Sequence, residues 1–381
     1  MKVLILTPDI YTRGGIARYT ATLASVFGDL IGPDNVHVLA LLHVGEIGRN
    51  PAKYRVLHPV TRRLTAAKKF RFAGRAVGLG ARKYDLIVCT HIGLAPVAGL
   101  MRTLFRTPFC VTCHGREAWP RFPVDVRWAL DRADLILPIS RFTAETVSRI
   151  NGIPQSKMRL LYNAIPDDFA KMLMASNGAN GFSLASNGRG RHILSVGMVT
   201  KGNAYKGYDT VIRALPKVRQ VVPNVRYSVV GEGDDIDRLK RLAVKAGVHH
   251  HVEFKGGISD ADLAACYGTC DVFVLPSRTA RHNGGWLGEG FGRVYVEAAL
   301  AGKPVVGSCG GGAAEAVLHE RTGLLVDPES DSDVAEALIM LLHNPGLAAR
   351  MGQQGQQWAL ENFTSEALTR RVSELLGGYG P

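Results

Sequence analysis

The stretch WLGEGFGRVYVEAALAGKP, residues 286–304, joins a glycine-rich entry to a helical pattern and carries two acids, Glu289 and Glu297. Eight residues of α-helix turn through roughly 800°, so a straight helix would hold the two carboxylates about 80° apart. We therefore expect Glu289 in the loop before the helix, where Gly290 and Gly292 let the backbone approach a ligand closely. The free N–H groups of the first helical turn would then favour an anionic group.

A purely structural interpretation of the same stretch is also open. In it Glu289 is an ordinary acid at a helix start, Glu297 lies on a solvated face, and the apolar residues from Val296 to Leu300 pack in the core. The glycines around Glu289 favour the ligand-binding interpretation.

The length and composition indicate a globular protein of two domains. A chain of 381 residues can build two cores, and 46% hydrophobic residues is typical of a globular protein. The sequence has no apolar run as long as a membrane span. Residues 1–9 predict a first β-strand rather than a secretory signal, so we expect a cytoplasmic location and reduced cysteines. Residues 110–114 match the CxxCH string of haem attachment, but they lie in an apolar strand, so we expect no haem cofactor.

The charge is unevenly distributed. The net charge is +13, and residues 1–170 hold 24 Lys and Arg against 12 Asp and Glu. Most of the excess lies in residues 53–83, where basic and apolar residues alternate. We predict that Arg62, Arg63, Lys68 and Lys69 dock on an anionic membrane surface, at the inner face of the cytoplasmic membrane, or bind a pyrophosphate-bearing acceptor. The alternative is a solvated basic helix, and no motif for nucleic acid accompanies the charge.

Short apolar runs alternate with helical patterns in both halves of the chain, as in doubly wound α/β domains. Runs that are apolar on both faces suit parallel sheets covered by helices on both sides. Strands are predicted at residues 2–6, 36–42, 85–89, 109–113, 135–139 and 158–162, and again at 192–196, 226–230, 251–254, 271–275, 304–306 and 323–326.

Glu289, Phe291, Gly292 and Glu297, followed by the loop 310–315, resemble the retaining nucleotide-sugar glycosyltransferases of family 4. The resemblance runs along nearly the whole chain and is strongest over residues 195–328. It implies the GT-B fold, an α/β architecture of two Rossmann-like doubly wound domains facing a central cleft. We expect an acceptor-binding domain at residues 1–170, a linker rich in Ser, Asn and Gly at 171–191, a nucleotide-sugar-binding domain at 192–362, and a helix at 363–381 that crosses back to the first domain.

The loop after the first strand is a second candidate. It contains Tyr11, Arg13, Gly14 and Gly15, and glycines between a strand and a helix allow close approach to a phosphate. An ordinary βα turn is the alternative. The resemblance places Gly14 and Gly15 beside the donor pyrophosphate, and we expect Tyr11 and Arg13 among the acceptor contacts.

His114 ends another predicted strand and is followed by Gly115, Arg116 and Glu117. A lone histidine at a strand end is commonly a structural hydrogen-bonding group, although neutral imidazole can donate to one group and accept from another. The resemblance brings His114 near the reacting carbon of the donor sugar. We expect acceptor contacts from Arg116, Glu117 and Trp119.

Lys206, followed by glycine, matches the lysine with which the resembling family neutralises the diphosphate, and lysine suits phosphate as a point charge. The sequence departs from that family at Met198, where an arginine is usual. Lys201 could supply the second cation instead. By itself, Lys206 would be an ordinary surface lysine.

The resemblance adds further donor-binding candidates. Gly231, Lys255, Ser277 and Arg278 lie at or after the ends of predicted strands of the second half and are each weak alone, whereas Gly290, Phe291, Gly292 and Glu297 belong to the stretch at 286–304. Asn163 resembles an asparagine near the domain crossover. Two Asp-x-Asp strings, at 235–237 and 331–333, precede helical patterns, so we attribute them to helix capping and predict no metal site.

We therefore expect a retaining, metal-independent hexosyltransferase that needs no cofactor and uses a UDP- or GDP-linked sugar. The acceptor would be a glycan or a lipid-linked glycan, as in polysaccharide and cell-envelope synthesis. His114, Glu289 and Lys206 are the predicted catalytic residues. The alternative is a protein of the same fold that binds or senses a nucleotide sugar without turnover.

Overall fold

The chain divides into two compact units. The computed structural model describes residues 1–12, 14–42, 53–57, 66–178, 190–282 and 285–378. One unit is Met1–Pro166 together with the chain from Ser365 onward, and the other is Asp167–Thr364. No helix in these described ranges is long and apolar enough to cross a membrane.

The first unit is a parallel sheet of six strands in the order β3-β2-β1-β4-β5-β6. The strands are β1 Val3–Thr7, β2 Val36–Ala40, β3 Arg55–Leu57, β4 Leu86–Cys89, β5 Phe109–Cys113 and β6 Leu135–Pro138. The helices are α1 Gly15–Ile31, α2 Ala66–Gly80, α3 Ala95–Phe105, α4 Val124–Arg132, α5 Arg141–Asn151 and, from the end of the chain, α14 Ser365–Gly377.

Alternate residues of β1 enter different cores. Leu4 and Leu6 pack with α2 and α3 on one face of the sheet, whereas Val3 and Ile5 pack with α1 and α14 on the other. Because both faces are covered by helices, the strand is apolar throughout, as the sequence predicted. The strand order reverses between β1 and β4, and sheets of this kind bind ligands at such a point.

The second unit repeats this architecture, with strand order β14-β13-β10-β7-β8-β9 and a separate hairpin of β11 and β12. Its strands are β7 His192–Val196, β8 Arg226–Val230, β9 Val252–Gly256, β10 Val272–Leu275, β11 Ala280–His282, β12 Gly285–Leu287, β13 Val305–Ser308 and β14 Gly323–Val326. Its helices are α6 Asp167–Gly178, α7 Tyr208–Val221, α8 Ile236–Lys245, α9 Asp260–Thr269, α10 Arg293–Leu300, α11 Ala313–Ala316, α12 Asp331–His343 and α13 Pro345–Phe363. Here the order reverses between β7 and β10.

Three predictions of secondary structure were wrong. Residues 171–178 of the predicted linker are the last eight residues of α6, because Leu173 is fully buried in a helix that packs on α9 and α10. Residues 179–189 lie outside the described part. Residues 158–162 form a single bridge with Ile136 instead of a strand. The helix predicted at 363–381 begins only at Ser365, because the extended backbone of Thr364 separates α14 from α13.

Candidate active site

In the second unit, Lys206 and Glu289 are in direct contact. Glu289 lies in the loop between β12 and α10, so it precedes the helix as the spacing of the two acids predicted. The Lys206 Nζ donates a hydrogen bond to Glu289 Oε2 at 2.9 Å. Only 10% of the lysine side chain and 18% of the glutamate side chain are exposed. Both ions have lost most of their water, and each compensates the charge of the other.

Glycines crowd the carboxyl edge of this sheet. Gly197, Gly231 and Gly256 end β7, β8 and β9 or follow them directly, and the Gly231 N–H donates to the Gly256 carbonyl at 2.9 Å. A Cβ on Gly231 would lie 1.9 Å from the Gly197 oxygen. Close packing of the strand ends therefore requires glycine at 231. Lys255 forms an ion pair with Glu253 at 3.0 Å on β9.

The loop that carries Glu289 packs against the loop at 310–312. The Gly312 N–H donates to the Glu289 carbonyl at 3.0 Å, and a Cβ on Gly312 would lie 2.0 Å from the Gly290 oxygen. Gly292 has a left-handed φ of 85° at the start of α10, and no side chain caps that helix. Gly292 and Gly312 therefore determine the backbone path of the two loops. No side chain caps the N–H groups in the first turn of α10.

Three predicted donor contacts have side chains that are occupied elsewhere. The ring of Phe291 is 1% exposed and packs edge-on against Phe363 at 5.1 Å. Ser277 is 1% exposed, beneath the Tyr295 hydroxyl. These two side chains belong to the core that supports the loop, and donor binding by Phe291 and Ser277 stays a prediction.

Arg278, the third of them, holds the segment around Lys206. Its guanidinium donates to both carboxylate oxygens of Asp209 at 3.1 and 2.9 Å, to the Ala204 carbonyl at 3.2 Å and to the Thr210 hydroxyl at 2.6 Å. Its Nε donates to Glu329 at 3.1 Å. All five N–H groups of the side chain are thus used. Because Ala204 and Asp209 lie on either side of Lys206, Arg278 fixes both flanks of the catalytic candidate.

Asp209 is ionised by this arrangement. Burial alone would raise the pKa of Asp209, but hydrogen bonds and charges from Arg278 and Arg213 outweigh it and hold that pKa below its ordinary value. A carboxylate that accepts from two guanidinium groups is a firm anchor for the start of α7.

Glu297 is buried instead of lying on a solvated face. It is 6% exposed, and its carboxylate accepts from the Tyr267 hydroxyl at 3.0 Å and from Arg293 at 3.4 Å. Burial, followed by the nearby Glu297 carboxylate, raises the pKa of Tyr267, so the phenol stays a hydrogen-bond donor. The solvated alternative for Glu297 was therefore wrong. Tyr267 lies 30 residues away in the chain, and no local pattern marked it as a partner.

Met198 and Lys201 lie on the surface of the second unit. Met198 is 62% exposed directly after Gly197. Lys201 begins a short 3-10 helix, Lys201–Lys206, and its backbone N–H donates to Asp234 at 2.9 Å while its side chain is exposed. The position where the resembling family has an arginine is therefore accessible, but it carries no charge.

In the first unit, the start of α1 is open. The Asp9 carboxylate accepts from the backbone N–H groups of Tyr11 and Thr12 at 2.9 and 3.1 Å, which shapes the loop after β1. Gly14 precedes α1 without a side-chain cap. A Cβ on Gly15 would meet no atom within 4 Å. Arg13 lies outside the described residues.

His114 follows β5 and is anchored through one ring nitrogen. Its Nε2 lies 2.9 Å from the Thr90 carbonyl oxygen, which can only accept, so Nε2 carries the proton and Nδ1 is an acceptor. The edge of Tyr19 packs on the ring at 4.8 Å. Burial lowers the pKa of His114, against opposing effects of Glu117 and Thr90. A neutral histidine at pH 7 with an available Nδ1 suits a ligand hydroxyl.

The residues after His114 are divided between core and surface. Glu117 Oε1 accepts from the backbone N–H groups of His114 and Gly115 at 2.6 and 3.3 Å, while Arg116 is exposed. Trp119 is 0% exposed, and its indole N–H donates to Thr143. The predicted acceptor contact by Trp119 was therefore wrong, because the indole is needed in the core.

Cys110 in β5 is also buried. Burial raises the pKa of the Cys110 thiol to about 12, so that thiol stays protonated.

Helix α2 carries the described part of the predicted docking surface. Arg62 and Arg63 lie outside the described residues, whereas Lys68 and Lys69 lie in the first turn of α2. Phe70 follows them and is 79% exposed, while Phe72 and Ala76 are buried in the core. The helix therefore presents basic residues and one aromatic ring to solvent.

The two Asp-x-Asp strings do not cap helices as predicted. Asp235 is 2% exposed and accepts from Arg238 at 2.7 and 2.6 Å, and α12 is capped by Ser330, which accepts the Asp333 N–H at 3.1 Å. The Asp235 carboxylate is bound by Arg238 and therefore does not cap α8. At the start of α12, Ser330 occupies the cap position, so the acids of the second string do not. In the described ranges, no group of three or more His, Cys, Asp and Glu side chains is placed to hold a metal ion.

Comparison with known proteins gives the family. Residues 13–169 match the model of glycosyltransferase family 4, and residues 180–358 match that of glycosyl transferases group 1. A GDP-mannose-dependent alpha-(1-6)-phosphatidylinositol monomannoside mannosyltransferase of Mycolicibacterium smegmatis is 33% identical over 99% of this chain and 98% of its own. A protein of the same description from Mycobacterium tuberculosis H37Rv is 30% identical over the same shares. The chain belongs to glycosyltransferase family 4.

Solved structures confirm the GT-B fold of this glycosyltransferase. The crystal structure of Anabaena HepE in complex with UDP has a TM-score of 0.79 at 21% identity, covering 99% of this chain and 100% of that one. Sucrose-phosphate synthase from Thermosynechococcus elongatus has a TM-score of 0.77 at 21% identity, covering 99% of both chains. At this identity the likeness concerns the fold, and the predicted two-domain α/β architecture is confirmed.

Arg278→Ala tests the anchoring of the Lys206 segment. Removing one partner of this largely buried ion pair should lower the free energy of unfolding by about 3 kcal/mol, measured by urea denaturation. Asp209, whose pKa is depressed from 3.8, contributes stability above that pH and loses it as the pH falls through its lower folded pKa. Without Arg278 the folded pKa rises, so the variant should lose this contribution at a higher pH than the wild type.

Arg241→Ala is the matched control, since Arg241 is an exposed residue of α8 in the same unit. It should change the stability by no more than about 0.5 kcal/mol. Equal stability of the two variants at all pH values would contradict an anchoring role for Arg278.

Proposed function

We propose that this glycosyltransferase moves a hexose from a nucleoside diphosphate sugar to a hydroxyl of a glycan or lipid-linked acceptor, with retention and without a metal ion. The observation that carries the proposal is the Lys206–Glu289 contact at 2.9 Å beside the open first turn of α10. An ammonium has three donors, so it can bond a carboxylate and a phosphate oxygen at once. The names of the relatives make GDP-mannose the first donor to test, with UDP-glucose as the alternative.

Departure of the diphosphate is the demanding step, since negative charge builds on the leaving oxygen. We assign its stabilisation in the second unit to Lys206 and the first N–H groups of α10. In the first unit we assign phosphate binding to the N–H groups at Gly15. The anomeric C–O bond breaks, the acceptor oxygen bonds the same face of that carbon, and its proton passes to the leaving phosphate. No separate base is required for this proton transfer.

The remaining polar groups orient the substrates. Glu289, held by Lys206 through one oxygen, presents the other to hydroxyls of the donor sugar. Glu297 accepts from the ribose alongside its bonds to Tyr267 and Arg293. The His114 Nδ1 accepts a hydrogen bond from a substrate hydroxyl near the reacting carbon, without taking its proton.

The experiment supplies GDP-mannose or UDP-glucose with a phosphatidylinositol monomannoside acceptor and follows product by NMR. We expect an α-linked product in the presence of EDTA. Lys206→Ala and Glu289→Ala should each reduce turnover at least a hundredfold while the circular dichroism spectrum is unchanged, because each removes a charge used in the transition state.

Lys217→Ala is the control, since Lys217 is half-exposed on α7 and pairs with Glu336 at 2.8 Å. Undiminished turnover in the Lys206 and Glu289 variants would refute these roles. Loss of activity in EDTA would refute metal independence. Nucleotide binding without transfer or donor hydrolysis would favour the alternative of a binding or sensing protein, a possibility that the exposed, uncharged Met198 keeps open.

We also propose that α2 docks this protein on an anionic membrane, at the inner face of the cytoplasmic membrane. Lys68 and Lys69 supply charge next to Phe70, whose ring is 79% exposed and can enter the headgroup region. Each lysine near such a surface contributes about 1 kcal/mol.

Lys68→Ala with Lys69→Ala should weaken co-sedimentation with phosphatidylglycerol vesicles about thirtyfold, because two losses of about 1 kcal/mol each add up to about 2 kcal/mol. Wild-type binding should fall steeply with salt. The paired change of Lys240 and Lys245 to alanine, two exposed lysines of α8, should have little effect. Vesicle binding that is unchanged by salt and by the two lysine substitutions in α2 would show that α2 is only a solvated basic helix.

A further inference from the structure

Glu232 is a carboxylate at the candidate site of the second unit that the proposed roles leave unused. It lies directly after the end of β8, and its side chain is exposed. Within the described residues, that side chain makes no hydrogen bond and no ion pair. Two neighbouring acids are occupied: Asp234 accepts a backbone N–H at 2.9 Å, and Glu253 pairs with Lys255 at 3.0 Å. Glu232 is therefore an acceptor that is available to a ligand.

The backbone around Glu232 is fixed on both sides by glycines. A Cβ on Gly231 would lie 1.9 Å from the Gly197 oxygen, and a Cβ on Gly233 would lie 2.1 Å from the Val199 oxygen. The Glu232 carbonyl accepts the Val199 N–H at 2.9 Å. The loop at 231–233 is therefore pressed against the chain that leaves β7, which limits where the Glu232 carboxylate can lie.

The Glu232 carboxylate lies against the end of β9. Its Oε1 atom is 2.5 Å from the position that a Cβ on Gly257 would take. Gly257 is exposed and follows Gly256, the last residue of β9. Because neither position has a side chain, a flat ring could lie against the backbone here, beside the carboxylate.

Glu232 and Lys206 are separated by about the length of a nucleoside. The stem of Lys206 passes Gly197, since a Cβ there would lie 3.3 Å from the lysine Cδ and Cε atoms. Gly197 follows β7, whereas the Glu232 carboxylate has reached the end of β9, so two strand spacings, roughly 10 Å, separate the two groups. In the other direction along this edge, the loops at 288–292 and 310–312 pack against each other. A nucleotide whose diphosphate is bound by Lys206 would therefore bring its base to Glu232.

A carboxylate distinguishes between bases because it has no donor. It only accepts, and its two oxygens can take two parallel N–H bonds. Guanine presents such a pair side by side, the ring N1–H and the exocyclic N2 amino group. Uracil presents one N3–H between two carbonyl oxygens, and adenine and cytosine have a ring-nitrogen acceptor next to their amino group. With these three bases an acceptor would face the carboxylate and remain unpaired, which is costly.

We propose that Glu232 selects guanine as the base of the sugar donor by accepting hydrogen bonds from the guanine N1–H and N2 amino group. This role rests on the proposed function, since it concerns the nucleotide of the same donor, and it decides between the two candidate donors in favour of the GDP-linked sugar. The negative charge of Glu232 also repels a phosphate, so it fixes the direction in which the nucleotide lies. No covalent step is involved.

The test compares the binding of GDP, IDP and UDP to the full chain by isothermal titration calorimetry. IDP differs from GDP only in lacking the N2 amino group. We expect IDP to bind about tenfold more weakly than GDP, because one hydrogen bond to a charged group is lost, and UDP at least as weakly as IDP. Glu232→Ala should weaken GDP binding by about tenfold or more and bring GDP and IDP to within about twofold of each other. Its circular dichroism spectrum should be unchanged, because the side chain that it removes is exposed.

Asp237→Ala is the matched control, since Asp237 is an exposed acid in the first turn of α8 and its loss removes the same charge from the same unit. This variant should keep the preference for GDP over IDP. Equal binding of GDP and IDP by the wild type, or an unchanged preference in Glu232→Ala, overturns the role of Glu232. Failure of all three nucleotides to bind would refute the donor class itself, and this role with it. Because binding needs no turnover, a failure of sugar transfer alone would leave the role of Glu232 standing.

Discussion

The ion pair of Lys206 and Glu289 is the constraint around which the second unit is built. Removing an ammonium and a carboxylate from water costs several kcal/mol per ion, and only good geometry offsets that cost. The geometry begins at Gly207, whose left-handed φ of 80° turns the chain from the 3-10 helix into α7. A Cβ there would lie 2.2 Å from the Pro276 oxygen, so the turn is pressed against the end of β10. Arg278 then fixes the flanks of Lys206, and the charge is held where β7 and β10 diverge.

The acid of the pair is positioned by backbone packing. The loops at 288–292 and 310–312 approach so closely that a side chain at Gly312 would collide with the Gly290 backbone. A side chain at Gly292 would collide with the Tyr295 ring in the helix that follows. Behind them, Phe291 and Phe363 form the support. A carboxylate on such a loop loses little conformational entropy when it meets a ligand, because folding has already ordered it. The glycines therefore serve rigidity here as well as close approach.

The sequence predicted those features that local pattern encodes. Residues apolar on both faces revealed parallel strands, and the spacing of Glu289 and Glu297 placed the first acid in a loop. The errors arose where tertiary contacts decide. The burial of Leu173 made a helix of a segment that composition marked as linker. The local sequence does not show that the Arg278 guanidinium pairs with Asp209. A tryptophan such as Trp119 is equally plausible in a binding loop or in a core, and here it is buried. Contacts between residues far apart in the chain leave no local periodicity.

The candidate site of the second unit holds a compensated cation, Lys206, and no arginine at position 198. Lys206 is already compensated by Glu289, and the arginine usual in the resembling family is replaced by the exposed Met198. Side chains at this site therefore offer little net positive charge to a diphosphate. The backbone does so instead: α10 has no acid in its first turn and no side-chain cap, so its N–H groups and dipole are not offset locally. Backbone dipoles supply this positive potential without a further ion.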